Sequence, residues 1–406
     1  MIVTIERLGH LGDAIAQGEN GPIFVAQVLP GEVVEGELAG NRLENPRIIT
    51  PSPNRVRPPC IHARTCGGCL MQHANDDFVA EWKTDVVRSA LAGQGIEAVL
   101  RPIKTSPPLS RRRATLAGRR TKGGTLLGFH ARGSDTLVAV PQCQLLHPDL
   151  KAAFPALEAL VIAGGSRKTE LSLTVTRTLA GPDVVVTGGK PLDVDLRFEL
   201  ARVAEAHNLA RLTWKDEVIA LRMAPMQALG RAMVAPPPGA FLQATEEGQA
   251  DLLAAVQEAV GSAKRITDLF TGAGTFALPL AEKAEVHAVE GDSAMTAALD
   301  KGWRMAEGLK RVTTEARDLF RRPLEPDEFK KVQAVVIDPP RAGAEAQTKT
   351  LAAARVPVIA FVSCNPVTFA RDARILLDAG YKLDWVQPID QFRWSAHVEL
   401  AARFSL

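Results

Sequence analysis

Two short apolar runs in the C-terminal half of the chain end in residues able to do chemistry. Val332 to Asp338 closes on Asp338-Pro339-Pro340-Arg341, and Val356 to Val362 closes on Ser363-Cys364-Asn365-Pro366. Runs of this length read as buried strands, and ligands of open α/β sheets bind beyond the carboxyl ends of such strands. Both Asp338 and Cys364 are therefore delivered to one edge. A free cysteine is often only a small core residue. A strand-end position beside Asp338, followed by Asn-Pro, favours a nucleophile. Glu399, in His397-Val398-Glu399-Leu400, is a carboxylate that can return to the same edge, although alone it would be an ordinary exposed glutamate.

The partner of such a thiolate is suggested by Ile266 to Glu290, ITDLFTGAGTFALPLAEKAEVHAVE. Ile266 to Phe270 reads as a strand. Gly272 and Gly274 let the backbone turn tightly against a ligand, Phe276 to Lys283 reads as a helix, and Val286 to Val289 is a second strand closed by Glu290. An acid at that place, eighteen residues after the first glycine, is positioned to take two ribose hydroxyls. The loop has neither a full G-x-G-x-x-G nor a Gly-Lys-Ser/Thr, which disfavours a dinucleotide or a nucleoside triphosphate. S-adenosylmethionine, with no phosphate to cradle, fits better. A methyl donor beside a thiolate suits one problem in particular. Carbon 5 of uracil attacks a sulfonium poorly until a thiolate has added to carbon 6, and a base such as Glu399 must then remove the carbon 5 proton.

A second set of thiols lies near the N-terminal end. Cys60, Cys66 and Cys69 have the spacing C-x5-C-x2-C, and Cys143 lies far along the chain. Such crowding favours metal binding over buried structural thiols. Structural zinc uses paired knuckles, whereas this uneven three-plus-one pattern suits an iron–sulfur cluster. His73 is a spare ligand candidate, better placed as a hydrogen-bonding neighbour.

The 406 residues, 46% of them hydrophobic, are enough for two or three packed domains. Lys and Arg number 48 against 46 acidic residues, so net charge excludes little. Arg101 to Arg132, however, contains nine basic residues and no acidic one. A solvated face is the plainer reading, but a block this one-sided favours a polyanion partner. No stretch of eighteen apolar residues or signal-like core appears, so a cytoplasmic protein with unpaired cysteines, and no membrane partner, is expected.

The elements that must position these groups follow in order. Residues 1–52 alternate apolar and polar positions between glycines, as a small antiparallel barrel does. Pro51 to Pro59 reads as a stiff linker, and Asp77 to Leu91 as an amphipathic helix. Residues 53–235 form a central unit without another reactive constellation. Residues 236–406 carry strands and helices in α/β alternation, ending in an antiparallel hairpin near 381–387 and 397–404.

These motifs resemble the RNA uracil-5 methyltransferases, in particular the iron–sulfur-containing branch that modifies 23S ribosomal RNA. The likeness rests on DLFTGAGTFALPLA, AVEGD, DPPR, VSCNPVTFARD, HVE and the CGGC-x-x-QH surround of the cysteines, and it spans nearly the whole chain. It implies a class I (Rossmann-like) methyltransferase domain, an N-terminal TRAM-like OB barrel and a central [4Fe-4S] domain held by Cys60, Cys66, Cys69 and Cys143. It further implies Cys364 as nucleophile, Glu399 as base, and Gln243, Phe270, Thr275, Glu290, Asp318 and Asp338 at the S-adenosyl-L-methionine site. The partner implied is RNA, ribosomal before transfer RNA, and a monomer is expected. Departures are Thr245 and Thr275, where the family usually has Asn, and Phe392-Arg393-Trp394-Ser395, where it has F-P-x-T. Two competing functions are a non-catalytic rRNA-binding assembly factor, against which Cys364 and Glu399 argue, and an amino methyltransferase. The latter needs an aromatic residue where Arg341 stands.

Overall fold

The apolar runs that close on Asp338 and Cys364 are adjacent strands of one sheet. The computed structural model describes residues 1–406. Its C-terminal sheet contains β1 (Arg265–Leu269), β2 (Glu285–Glu290), β3 (Val312–Ala316), β4 (Ala334–Ile337), β5 (Val358–Ser363), β6 (Lys382–Asp390) and β7 (Glu399–Ser405). They run in the order β3-β2-β1-β4-β5-β7-β6. The first five pair in parallel, while β7 is antiparallel to both its neighbours.

The parallel strands are buried on both faces, which is why they read as unbroken apolar runs rather than alternating ones. Ala334, Val336, Ala360 and Val362 belong to one core cluster, which also takes in Leu252 and Val256 of helix Glu246–Val260. Val335, Ile337, Ile359 and Phe361 belong to the other, with Phe369 and Leu376 of helix Pro366–Asp378. β7, inserted between β5 and β6, brings the start of its strand, Glu399, opposite the end of β5: Ser363 pairs with Leu400. The helix expected over 276–283 is the shorter Ala277–Leu280; Pro279 lacks the N–H that would bond the Thr275 carbonyl, so the ladder does not begin earlier.

Two other sheets precede it. Strands Ile2–Leu8, Ala14–Gly18, Gly21–Val25, Val33–Ala39 and Arg42–Thr50 close a barrel around Ile5, Ala14, Ala16, Val25 and Val34. The proline-rich segment after it is not a free spacer. Buried Glu32 accepts from the Leu29 and Ser52 amides and from the Arg55 guanidinium, tying the segment to the barrel. The central sheet has seven strands, from Glu217–Leu221 to Leu137–Ala139, packed under helices Phe154–Gly164 and Val194–Ala206.

The limits expected at 53–235 and 236–406 are crossed twice. Lys104–Thr105 pairs in parallel with the end of β6, as an eighth strand of the C-terminal sheet. Helix Asp76–Ala92 sends Val87 and Leu91 into the same core as Phe361 and Phe369. No helix is long and apolar enough to cross a membrane.

Candidate active site

The loop after β1 is shaped by its conformation. Phe270, Gly272 and Gly274 all have positive φ, of 61°, 56° and 100°. A Cβ on Gly274 would also lie 2.8 Å from Leu278 Cδ1, so only glycine is free to stand there. The turn aims the Gly272 amide at Glu290, whose Oε2 accepts it at 3.0 Å, while Oε1 accepts from the Asp292 amide at 3.1 Å. The carboxylate is thereby held at two points, with a lone pair left on each oxygen.

Glu290 lines a cavity of about 660 Å³ together with Gln243, Phe270, Asp318, Asp338, Cys364 and Glu399. Seven of the eight residues expected at the reaction centre thus share one wall. Thr275 is the exception. The chain turns away after Gly272, and Thr275 is half-buried outside that wall. Asp318 is exposed and fixed by the amides of Phe320 and Arg321.

Burial governs the electrostatics. Desolvation, and then the nearby Glu399, push the Asp338 carboxyl well above the usual carboxylate range. Glu399 is 3% exposed, and burial pushes it up to about 7 against the opposing hydrogen bond from Gln391. The Cys364 thiol is pushed up to about 11, first by burial and then by Glu399 and Asp338, with Arg341 acting the other way. Arg341 in turn donates to His397 Nδ1 at 3.3 Å.

A second cavity, of about 730 Å³, meets the first at Phe241, Arg341, Cys364 and Glu399. Its far side is formed by Cys60, Cys66, Cys69 and Cys143, all free thiols. Gly67 lets this loop pass close to the central sheet, since a Cβ there would be 2.8 Å from the His130 carbonyl. Gly68 and Leu145 donate their amides to the sulfurs of Cys66 and Cys143, each at 3.4 Å. Burial raises the Cys69 thiol to about 12 and also raises Cys66 and Cys143, with the neighbouring sulfurs adding to each. Thiolates in such a place require a cationic partner. No group of three or more His, Cys, Asp or Glu closes on a point where one metal ion would sit. A four-iron cluster makes a different demand, because its thiolates stand outside the corners of a cube and so lie further apart than four ligands on one zinc. His73 is buried beside them, lowered to about 4 by desolvation.

The acid-free stretch needs correction. Arg101 pairs with Glu258, Lys104 with Asp251, Arg119 with Glu170 and Arg132 with Asp13. Arg112 is buried and bonded to the Gln243 carbonyl and to Gln249. The block is largely spent on contacts within the protein, with Arg120 and Lys122 left exposed. Sequence reasoning also missed Gln391, which bonds both Gln243 and Glu399. It missed the buried pair of Lys83 with Asp390 at 2.6 Å as well. The departures are absorbed locally. Thr245 caps helix Glu246–Val260, and Arg393 reaches Asp76 and the Ser106 carbonyl.

Residues 230–404 match the family model described as tRNA (Uracil-5-)-methyltransferase. The chain is 44% identical to an uncharacterized RNA methyltransferase of Caulobacter vibrioides, over 99% of both chains, and 43% identical to one of Brucella suis, over 98% and 96%. It is 32% identical to the 23S rRNA (uracil(1939)-C(5))-methyltransferase RlmD of Chromohalobacter salexigens, over 98% of this chain and 87% of that one. Among solved structures it resembles the Pyrococcus abyssi tRNA (uracil-54, C5)-methyltransferase in complex with S-adenosyl-L-homocysteine. The TM-score is 0.76 at 23% identity, covering 100% and 99% of the two chains.

Proposed function

The chain belongs to the RNA uracil-5 methyltransferase family and is an S-adenosylmethionine-dependent enzyme, and from that premise we propose that it methylates carbon 5 of a uridine in 23S ribosomal RNA through a covalent Cys364 adduct. The observation that carries this is the convergence of Cys364, Asp338 and Glu399 on the wall of the cavity that also holds Glu290. The preference for ribosomal RNA rests on the 32% identity to the RlmD relative over almost the whole chain.

Glu290, held by the Gly272 and Asp292 amides, would accept from the ribose hydroxyls of the methyl donor, with Phe270 and Asp318 on the same wall to hold its base. Cys364 loses its thiol proton to solvent as its sulfur bonds to carbon 6 of the uracil, and the displaced electron pair makes carbon 5 enolate-like. Carbon 5 takes the methyl group from the sulfonium, and S-adenosylhomocysteine is the leaving group. Glu399 then removes the carbon 5 proton. The electrons of that C–H bond restore the carbon 5–carbon 6 double bond and expel the thiolate. Asp338, kept neutral by its surroundings, offers a donor to the base or cofactor.

Cys60, Cys66, Cys69 and Cys143 would hold a [4Fe-4S] cluster, which binds its loop to the central sheet. The sulfur-directed amides and shared cavity support this donor set. The test is nucleoside analysis of ribosomal and transfer RNA from cells with and without the protein. Loss of 5-methyluridine from 23S rRNA alone is expected. Loss from transfer RNA alone, or no loss, overturns the assignment.

A further inference from the structure

The side-chain amide of Gln391 stands between Gln243 and Glu399, and its orientation is set from behind. Its Oε1 accepts from the Ala244 backbone amide at 2.7 Å. A backbone N–H only donates, so the Gln391 oxygen must face it and the NH₂ group must face the opposite way. On that side it meets two acceptors, Gln243 Oε1 and Glu399 Oε2. All three residues are buried, at 1%, 2% and 3% exposure.

Consequences follow at both ends. Gln243 spends its oxygen on Gln391, so its own NH₂ group, which has no partner in the protein, is the polar end it offers to the cavity. Glu399 receives its one hydrogen bond from Gln391, and its second oxygen is without a partner in the protein. The other charged or titratable groups facing Glu399 are Asp338 at the end of β4, Cys364 at the end of β5 and Asp390 on β6, the last paired with Lys83. Burial, and then the charge of Asp390, make the ionised form of Glu399 harder to keep. Gln391 is the group that favours it.

We propose that Gln391 is a positioning residue that holds Gln243 with its donors outward and Glu399 as an acceptor. One amide thereby sets both what the cavity recognises and whether the base is ready. The outward donors suit an acceptor oxygen, supplied either by the carboxylate of the methyl donor or by a uracil carbonyl. This rests on the covalent reading above.

The test is Gln391→Met, which keeps the length of the side chain and removes the amide. Removing the donor takes away the group that lowers the Glu399 pKa, so that pKa rises. The acidic limb of the pH–rate profile should move to higher pH by roughly one to two units. At neutral pH a methyl-labelled protein–RNA adduct on a 23S transcript should accumulate, since adduct formation proceeds while proton removal lags. A rise in KM for the methyl donor assigns Gln243 to the carboxylate, and weaker binding of the transcript assigns it to the uracil. Trapping of a 5-fluorouridine transcript, together with an unchanged melting curve, confirms an assembled site in the variant. An unmoved pH profile without adduct overturns the proposal, and so does loss of trapping along with turnover. If the wild type itself fails to trap 5-fluorouridine RNA, the covalent reading fails, and Gln391's role falls with it. Wild-type trapping with an indifferent variant sinks the role of Gln391 alone.

Discussion

Leu70 donates its backbone N–H to the Trp394 carbonyl at 2.7 Å, and Met71 donates to the same oxygen at 3.0 Å. Leu70 follows directly on Cys69, and Trp394 lies between Gln391 and Glu399 with a left-handed φ of 59°. A buried aromatic residue in that conformation persists only where its surroundings hold it there. The cysteine loop is part of what holds it. Anaerobically purified protein should contain iron and sulfide in equal amounts, and Cys66→Ser should lose both. In that variant the amides of residues 391–398 should exchange with solvent at least about tenfold faster. Stoichiometric zinc without iron contradicts the cluster. Unchanged exchange after cluster loss contradicts the mechanical link.

Arg112 separates packing from RNA binding. It donates through Nε to the Gln243 carbonyl at 2.9 Å and through Nη2 to Gln249 at 2.6 Å, and burial lowers its pKa to about 10. Arg112→Ala leaves the buried Gln243 carbonyl and the half-buried Gln249 without their donor and should cost about 1–3 kcal/mol of stability, read as a lower denaturant midpoint. The salt dependence of RNA binding should not change. Phosphate contacts are expected instead at exposed members such as Arg120 and Lys122. Replacing each with alanine should reduce the slope of log K against log salt by roughly 0.7–0.9. A slope altered by Arg112→Ala but not by these two would reverse the assignment.

The contrast between Cys364 and Arg112 explains what the sequence could reveal. Parallel strands buried on both faces print themselves as apolar runs, and their carboxyl ends are where ligands bind, so Cys364, Asp338 and Glu290 could be placed from local text. Arg112 bonds a residue 131 positions away, Gln391 one 148 away, and Lys83 bonds the Phe392 carbonyl 309 away beside its partner Asp390. No local pattern marks such partners. The acid-free stretch misled for the same reason, since Glu258, Asp251, Glu170 and Asp13 arrive from other parts of the chain. Thr275 lies outside the cavity because two left-handed glycines turn the chain, a feature whose direction composition does not encode.

Cys364 and Glu399 should fail at different steps. Cys364→Ala cannot form the bond to carbon 6, so it should bind RNA and the methyl donor yet give no species that survives denaturing electrophoresis. Glu399→Gln can still form the adduct and accept the methyl group, but nothing removes the carbon 5 proton. It should accumulate a protein–RNA complex labelled from the methyl donor, with turnover reduced by at least about a hundredfold. A labelled complex in Cys364→Ala, or normal turnover in Glu399→Gln, would exchange or abolish these roles.

The state of the thiol before RNA arrives is open to direct measurement. Burial, Glu399 and Asp338 push Cys364 up to about 11, so at neutral pH it is overwhelmingly a thiol. Alkylation of Cys364 by iodoacetamide, followed by peptide mass spectrometry, should be slow at pH 7. It should rise with pH, by less than tenfold per unit around pH 7 where Glu399 ionises and by roughly tenfold per unit above that until the pKa is approached. Glu399 titrates near 7, so its charge opposes the thiolate above that pH and fades below it. Glu399→Gln removes a negative charge and must lower the thiol pKa. The variant should therefore alkylate faster than wild type, with a ratio that is small at pH 6 and grows through pH 8 as wild-type Glu399 ionises. Arg341→Met removes the positive charge that favours the thiolate and should slow alkylation at every pH. Equal rates in wild type and Glu399→Gln at pH 8 would mean that the carboxylate does not face the sulfur, which would remove the electrostatic basis for pairing them as base and nucleophile.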